Sequence, residues 1–242
     1  MIFEVPDLTR QEQISDAVAA VRRNIQIACG RAGRPVSDVR LIAVSKKMSA
    51  SDVAAAFAAG QLDFGENYAQ ELVGKAASPL LAGTSVRWHF LGGLQSRKVK
   101  DILPLVSSIH SVDRDSQIEE LARRADQSRP VEIFLEVNTG DESQKSGADP
   151  RDAERLCVRL LAVPGVKLAG LMCIPPFSDN PQDSRRYFSM LRNLRDRLIA
   201  TICPAEGVLS GLSMGMTADY PVAIEEGATM VRVGTAIFGA RQ

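Results

Sequence analysis

Residues 39–67 read VRLIAVSKKMSASDVAAAFAAGQLDFGEN, and their pattern decides the fold. Val39-Arg40-Leu41-Ile42-Ala43-Val44-Ser45 is short, apolar and partly β-branched, as a strand buried on both faces should be. Ser49 or Ser51 offers a side-chain cap for a helix that ends near Gly60. A brief second strand follows at Asp63–Glu66. Upstream, Ile14, Val18, Val21, Ile25 and Ala28 recur at helical spacing, which predicts an amphipathic opening helix over residues 10–32.

Downstream the alternation repeats. Helices are expected at residues 68–77, 95–106, 116–125, 151–161, 183–202 and 220–226. Tyr187, Leu191, Leu194 and Leu198 share one side of the fifth of these. Strands are expected at residues 86–91, 108–112, 131–137, 166–174, 209–214 and 230–233. Eight strand-helix alternations are the count of a closed parallel barrel, and 242 residues come close to the roughly 250 typical of that fold. No Pro/Gly/Ser-rich linker marks a second unit. The expectation is a single (β/α)8 barrel domain over residues 1–242, preceded by an extra N-terminal helix.

Composition narrows the function. Lys+Arg and Asp+Glu both number 29, so no overall basic field exists to attract nucleic acid or an anionic membrane. Apolar runs fall short of the ~20 residues of a membrane span, and the N-terminus lacks the form of a secretory signal. Cys29, Cys157, Cys173 and Cys203 form no CxxC pair, which argues against a zinc ribbon or a disulfide framework and suits a reducing cytoplasm.

In such barrels the chemistry sits at the C-terminal ends of the strands. Strand one ends in Lys46, an amine that acts as a carbonyl nucleophile when burial lowers its pKa. The alternative is that Lys46 and Lys47 simply leave into solvent; strand alternation lets at most one of them face the mouth. Ser213-Met214-Gly215-Met216-Thr217 follows strand seven and Gly234-Thr235 follows strand eight. Small residues in these two loops let backbone amides approach a phosphate. No Walker A sequence is present. Arg232, inside the last strand, needs an acid such as Glu225 or Glu226, a carbonyl, or a ligand acceptor such as a ring nitrogen. Asn67 can bond a ligand hydroxyl. His89 reads as an interior polar group satisfied within the barrel, and two histidines, His89 and His110, support no metal triad. Lys145, in the polar loop over residues 138–147, either reaches an anion or belongs to a solvated surface.

Together these stretches resemble the pyridoxal phosphate homeostasis protein family. The resemblance covers nearly the whole chain and rests on Ala43-Val44-Ser45-Lys46, Phe64-Gly65-Glu66-Asn67-Tyr68, Trp88-His89-Phe90-Leu91-Gly92, Leu94-Gln95-Ser96, Lys145-Ser146-Gly147, Gly170-Leu171-Met172, Leu212-Ser213-Met214-Gly215-Met216 and Val231-Arg232-Val233-Gly234-Thr235-Ala236-Ile237-Phe238-Gly239. It implies that Lys46 forms a Schiff base with pyridoxal 5′-phosphate. It also implies that Ser213, Gly215, Gly234 and Thr235 surround the phosphate and that Arg232 faces the pyridine nitrogen. An arginine there leaves that nitrogen largely unprotonated and weakens the cofactor as an electron sink. Arg97 and Thr217 depart from the family pattern, where Asn and Ser are usual.

The resemblance implies a carrier that holds the cofactor as an aldimine and passes it to apo-enzymes, with no catalytic residues of its own; a barrel that closes its own core suits a monomer or weak dimer, and the cysteine usage a cytoplasmic place. Two alternatives remain. An amino-acid racemase of the alanine racemase type needs a second base opposite Lys46, for which Tyr220 is the tyrosine to inspect among Tyr68, Tyr187 and Tyr220. A sugar-phosphate aldolase also pairs a Schiff-base lysine with phosphate loops.

Overall fold

The computed structural model describes residues 9–140, 146–202 and 205–239. Eight parallel strands close in chain order: β1 (Arg40–Val44), β2 (Asp63–Glu66), β3 (Arg87–Phe90), β4 (Val106–Val112), β5 (Val131–Glu136), β6 (Val166–Met172), β7 (Gly211–Ser213) and β8 (Met230–Val233). β1 and β8 seal the barrel, with Ile42 beside Arg232 and Ala43 beside Val233. The helices are α1 (Arg10–Arg31), α2 (Ala50–Ala58), α3 (Ala69–Ala76), α4 (Val99–Ile102), α5 (Asp115–Arg124), α6 (Ala153–Leu161), α7 (Arg185–Ile202), α8 (Tyr220–Glu225) and α9 (Thr235–Phe238). The barrel and its N-terminal helix are thus as the sequence predicts.

Local chemistry explains the element ends. Thr9 caps α1 reciprocally with Glu12, and Ser49 caps α2 with Asp52, each pair satisfying amides that the first helical turn leaves open. α1 buries Ile14, Val18, Val21, Ile25 and Ala28 against α2, α8 and α9, across the seam between the first and last strands.

Two layers fill the molecule. The larger cluster lies between strands and helices. A smaller one of Ile42, Leu91, Phe134, Met172 and Met230 occupies the barrel interior. Gly65 points inward where a Cβ would meet Leu91 Cδ1 at 2.4 Å, so glycine is what lets those side chains close over it. Strand alternation then puts Val44 and Lys46 on the inward face with Ile42, and Ser45 outward.

Several boundaries differ from expectation. The helix expected over residues 95–106 is a 3-10 turn at Ser96–Lys98 followed by the single turn of α4. Pro104 lacks the amide a longer helix would need, and β4 already begins at Val106. That strand extends two residues before its expected start at Ser108, because Val106 stands alone ahead of two serines. β7 is shorter than residues 209–214 because Leu209 is left-handed, at φ +60°, which no strand residue tolerates. On α7 it is Phe188, not Tyr187, that enters the core with Leu191, Leu194 and Leu198; Tyr187 is half-buried and its hydroxyl accepts from Arg186.

Candidate functional site at the barrel mouth

The strand ends enclose a cavity of about 410 Å³. Lys46, Asn67, Arg232, Gly234 and Thr235 line it, five of the seven residues expected to hold a cofactor. Thr217 joins them from the β7 loop, and Leu91, Met172, Met216 and Phe238 supply apolar walls. A wider groove of about 930 Å³ lies outside the barrel against α7; there Arg185 pairs with Glu225 and Glu226, Arg192 with Glu226, and Arg186 lies over the Tyr187 ring. Phe177, 84% exposed, stands between the two spaces.

Lys46 owes its place to its neighbours. Ser45, on the opposite face, donates its hydroxyl to Glu66 Oε1 at 2.6 Å, and Lys75 Nζ from α3 donates to both Glu66 Oε1 and the Ser45 carbonyl, each at 2.6 Å. Burial pushes the Glu66 carboxyl up against the pull of those two donors. The Lys47 amide donates to Glu71 at 2.7 Å, and Lys47 itself turns left-handed at φ +63°, so it is exposed while Lys46 faces the cavity. A buried knot outside the barrel therefore anchors the strand end that presents the amine.

Arg232 is 5% exposed. Neither Glu225 nor Glu226 reaches it, because both serve α7; instead Nη1 donates to Ser213 Oγ at 2.8 Å and Nη2 to the Cys173 carbonyl at 2.9 Å. Burial pulls its pKa down from the usual arginine value, while Glu136 and Asp219 pull the other way.

Two expected cradle residues stand behind the wall rather than on it. Ser213 is fully buried, its hydroxyl shared between Arg232 and His110, so it meets the guanidinium from behind the cavity wall. Gly215, at φ +90°, is packed so that a Cβ would come within 2.5 Å of Ala223 Cβ. It lets the β7 loop lie flat on α8, and its carbonyl accepts from the Arg232 amide at 3.0 Å. Asp219 pins the same loop through the Met216 amide at 2.7 Å.

His89 is satisfied inside the barrel, between Asp63 and Ser108. Tyr220 is buried and does not line the cavity. Arg97 is exposed and donates to Gln95. Lys145, Cys203 and Arg241 lie outside the described residues. Among the described residues no group of three His, Cys, Asp or Glu could hold a metal, and no helix is long and apolar enough to cross a membrane. Cys29, Cys157 and Cys173 are free and buried.

Whether these residues suit pyridoxal phosphate can be judged from the wall itself. Asn67 Oδ1 is shielded from water and has no hydrogen-bond partner among the described residues, a costly state that a ligand hydroxyl would relieve. The backbone carbonyl of Asn67 lies so close to Gly92 that a Cβ there would sit 1.9 Å from it, which fixes the residue over the cavity. An amine, a cation, an unsatisfied amide oxygen and small-residue loops thus converge on one space, and the set fits a phosphorylated aromatic aldehyde.

Sequence reasoning missed Lys75, Ser108, His110, Glu136 and Asp219. Lys75 and Asp219 have local partners in Glu71 and the Met216 amide, but nothing local announces the contacts that Lys75 makes with Glu66 and Asp219 with Ser184. Ser108 and His110 were visible as polar residues alternating along a strand, a pattern that marks a polar barrel interior.

A closed barrel with a lysine ending the first strand and an arginine in the last defines a class. Residues 17–242 match the model of the alanine racemase N-terminal domain family. Curated relatives include the pyridoxal phosphate homeostasis proteins of Aquifex aeolicus (41% identical, 94% of this chain, 98% of that protein) and Escherichia coli K12 (37%, 94% and 97%). Among solved structures, PipY of Synechococcus elongatus with PLP bound is 35% identical at a TM-score of 0.79, over 93% of this chain and 100% of that one. Alanine racemase of Corynebacterium glutamicum, 16% identical at a TM-score of 0.64 over 94% of this chain and 62% of that one, shares the fold. The chain belongs to the alanine racemase N-terminal domain family and, within it, to the pyridoxal phosphate homeostasis proteins.

Proposed function

We propose that this protein binds pyridoxal 5′-phosphate at the barrel mouth and serves its storage and delivery to apo-enzymes in the cytoplasm, without dedicated turnover. The observation that carries this reading is the convergence of Lys46, Arg232 and the unpartnered Asn67 oxygen on one cavity. The names of the relatives, and PLP bound in PipY, support it.

Bound there, the cofactor would supply an aldehyde that condenses reversibly with an amine, releasing water. Lys46 provides that amine, held by the Ser45–Glu66–Lys75 knot. Asn67 would accept from the ring hydroxyl, and Arg232 would offer an N–H to the ring nitrogen without being able to transfer its proton. Thr217, Gly234 and Thr235, on the cavity wall, would hold the phosphate. Met172, Met216 and Phe238 supply apolar wall that would shield the cofactor from water.

A racemase needs a second base opposite Lys46. Among the described residues on the cavity wall, Lys46 and Arg232 are the only titratable side chains. Tyr220 is buried behind the β7 loop, Tyr68 is 49% exposed on the surface and Tyr187 lines the outer groove. This arrangement supports binding over turnover.

The test is an absorption spectrum with pyridoxal phosphate before and after borohydride reduction, with peptide mapping. A visible band and a reduced adduct on Lys46, both lost in a folded Lys46→Ala variant, are expected, with no D/L-alanine interconversion above the free cofactor. No band and no adduct at saturating cofactor would refute the proposal and bring the aldolase reading forward.

A further inference from the structure

Inside the barrel, beneath the cavity, five hydrogen bonds run in a single file. Arg232 Nη1 meets Ser213 Oγ at 2.8 Å, Ser213 Oγ meets His110 Nδ1 at 2.8 Å, and His110 Nε2 meets Ser108 Oγ at 2.6 Å. Ser108 Oγ then meets His89 Nδ1 at 2.6 Å, and His89 Nε2 meets Asp63 Oδ1 at 2.9 Å. All six residues are buried. Asp63 is clamped from outside by Arg87, through Nε at 2.9 Å and Nη2 at 2.6 Å. Nothing in the binding proposal uses the lower four of these residues.

The hydrogens along this file can be assigned by counting. A guanidinium only donates, so Ser213 must accept from Arg232. Asp63 only accepts when ionised. Burial raises its pKa, but the donors His89 and Arg87 outweigh that and hold it below the ordinary value. His89 therefore carries its hydrogen on Nε2. With the imidazole neutral, Nδ1 is bare and the single Ser108 hydrogen must point to it. Ser108 then accepts from His110 Nε2, which leaves His110 Nδ1 bare and makes Ser213 donate to it. Every bond has one hydrogen and every hydroxyl one donor and one acceptor role.

The alternative fails at the top. If the imidazoles held an extra proton, His110 Nδ1 would donate to Ser213, and Ser213 would receive two donors. Its own hydrogen would then find no acceptor among the described residues, in a fully buried position where that is costly. Burial first, and then the nearby His89, Arg232 and Arg40, keep His110 neutral. Its ring is also stacked on Phe134, centroids 4.4 Å apart, which fixes its plane.

We propose that Ser213 and His110 are positioning residues: a proton-ordered file ending on Asp63 holds the Ser213 hydroxyl as an acceptor for Arg232, so that the guanidinium is locked in place and presents its remaining donors to the cavity. For the cofactor, this rests on the binding reading above and assigns the barrel interior to fixing the one group that meets the ring nitrogen. The file itself is a property of the ligand-free chain.

The chain contains two histidines, so histidine-labelled protein gives two imidazole signals that can be read without ambiguity. In ligand-free protein at pH 7.5, both rings are expected as the neutral Nε2–H tautomer. Ser213→Ala should shift His110 Nδ1 alone and broaden the Arg232 guanidinium N–H signals that wild type keeps sharp. With pyridoxal phosphate, Ser213→Ala should raise the dissociation constant about tenfold and move the visible band, and Ser213→Thr should restore both. An Nδ1–H tautomer or an imidazolium at His110 overturns the ordering. Sharp Arg232 signals in Ser213→Ala, or unchanged binding and spectrum in a wild type that binds, overturn the positioning role. Failure of wild type to bind pyridoxal phosphate refutes the binding proposal instead, and the tautomers and guanidinium signals of the free protein still decide this one.

Discussion

Glu136 ends β5 two residues beyond Phe134, so it shares the inward face and is 5% exposed. Burial, reinforced by Asp113, raises its carboxyl to about 7 from the ordinary 4.5, while Arg232 and Arg114 resist. Between those two values the folded chain keeps a proton that the unfolded chain has released, so the stability Glu136 contributes is full below 4.5 and is lost as pH rises through 7. At about 1.4 kcal/mol for each pH unit, the loss over that interval is roughly 3 to 3.5 kcal/mol. Glu136→Gln keeps the shape and cannot ionise. Urea denaturation of both proteins between pH 4.5 and 8.5 should give a small difference at the acid end and an advantage for the variant of about 3 kcal/mol above pH 8. A difference independent of pH, or one that favours wild type increasingly as pH rises, would refute the assignment of a buried, reluctantly ionised carboxyl.

Other perturbations test the supports of the site. Lys75→Met strands Glu66 in a fully buried position and should cost roughly 3–5 kcal/mol in denaturant midpoint measurements, with much of it recovered when Glu66→Leu is added; equal stability of the single and wild-type proteins would mean that the knot contributes nothing. Gly215→Ala places a Cβ in a left-handed residue against Ala223 and should lower stability by roughly 2–4 kcal/mol and weaken pyridoxal phosphate binding together, read by thermal melting and by titration of the visible band.

The barrel was legible because strand-helix alternation is a local property. Ile42, Phe64 and Val231 announce buried strands by composition alone, and the α1 stripe from Ile14 to Ala28 is a matter of spacing. Lys46, Asn67 and Arg232 stood out as polar residues at or inside buried apolar strands, and the family resemblance was what implied their roles. Boundaries were less legible: β4 begins at Val106, two residues before the expected start, because a single Val followed by two serines looks like a loop in one dimension.

What the sequence determined by itself was therefore the periodicity, and with it the fold and the strand ends where the chemistry gathers. The tertiary structure alone decided which polar groups meet. Ser213 meets both Arg232 and His110 because β4 sets His110 beside it, 103 residues away in the chain. Lys75 found Glu66 because α3 folds back over β2, and Glu225 and Glu226 were drawn from Arg232 by α7. Hydrogen bonds act over about 3 Å in space whatever the separation in sequence, so partner choice is settled only when the strands close.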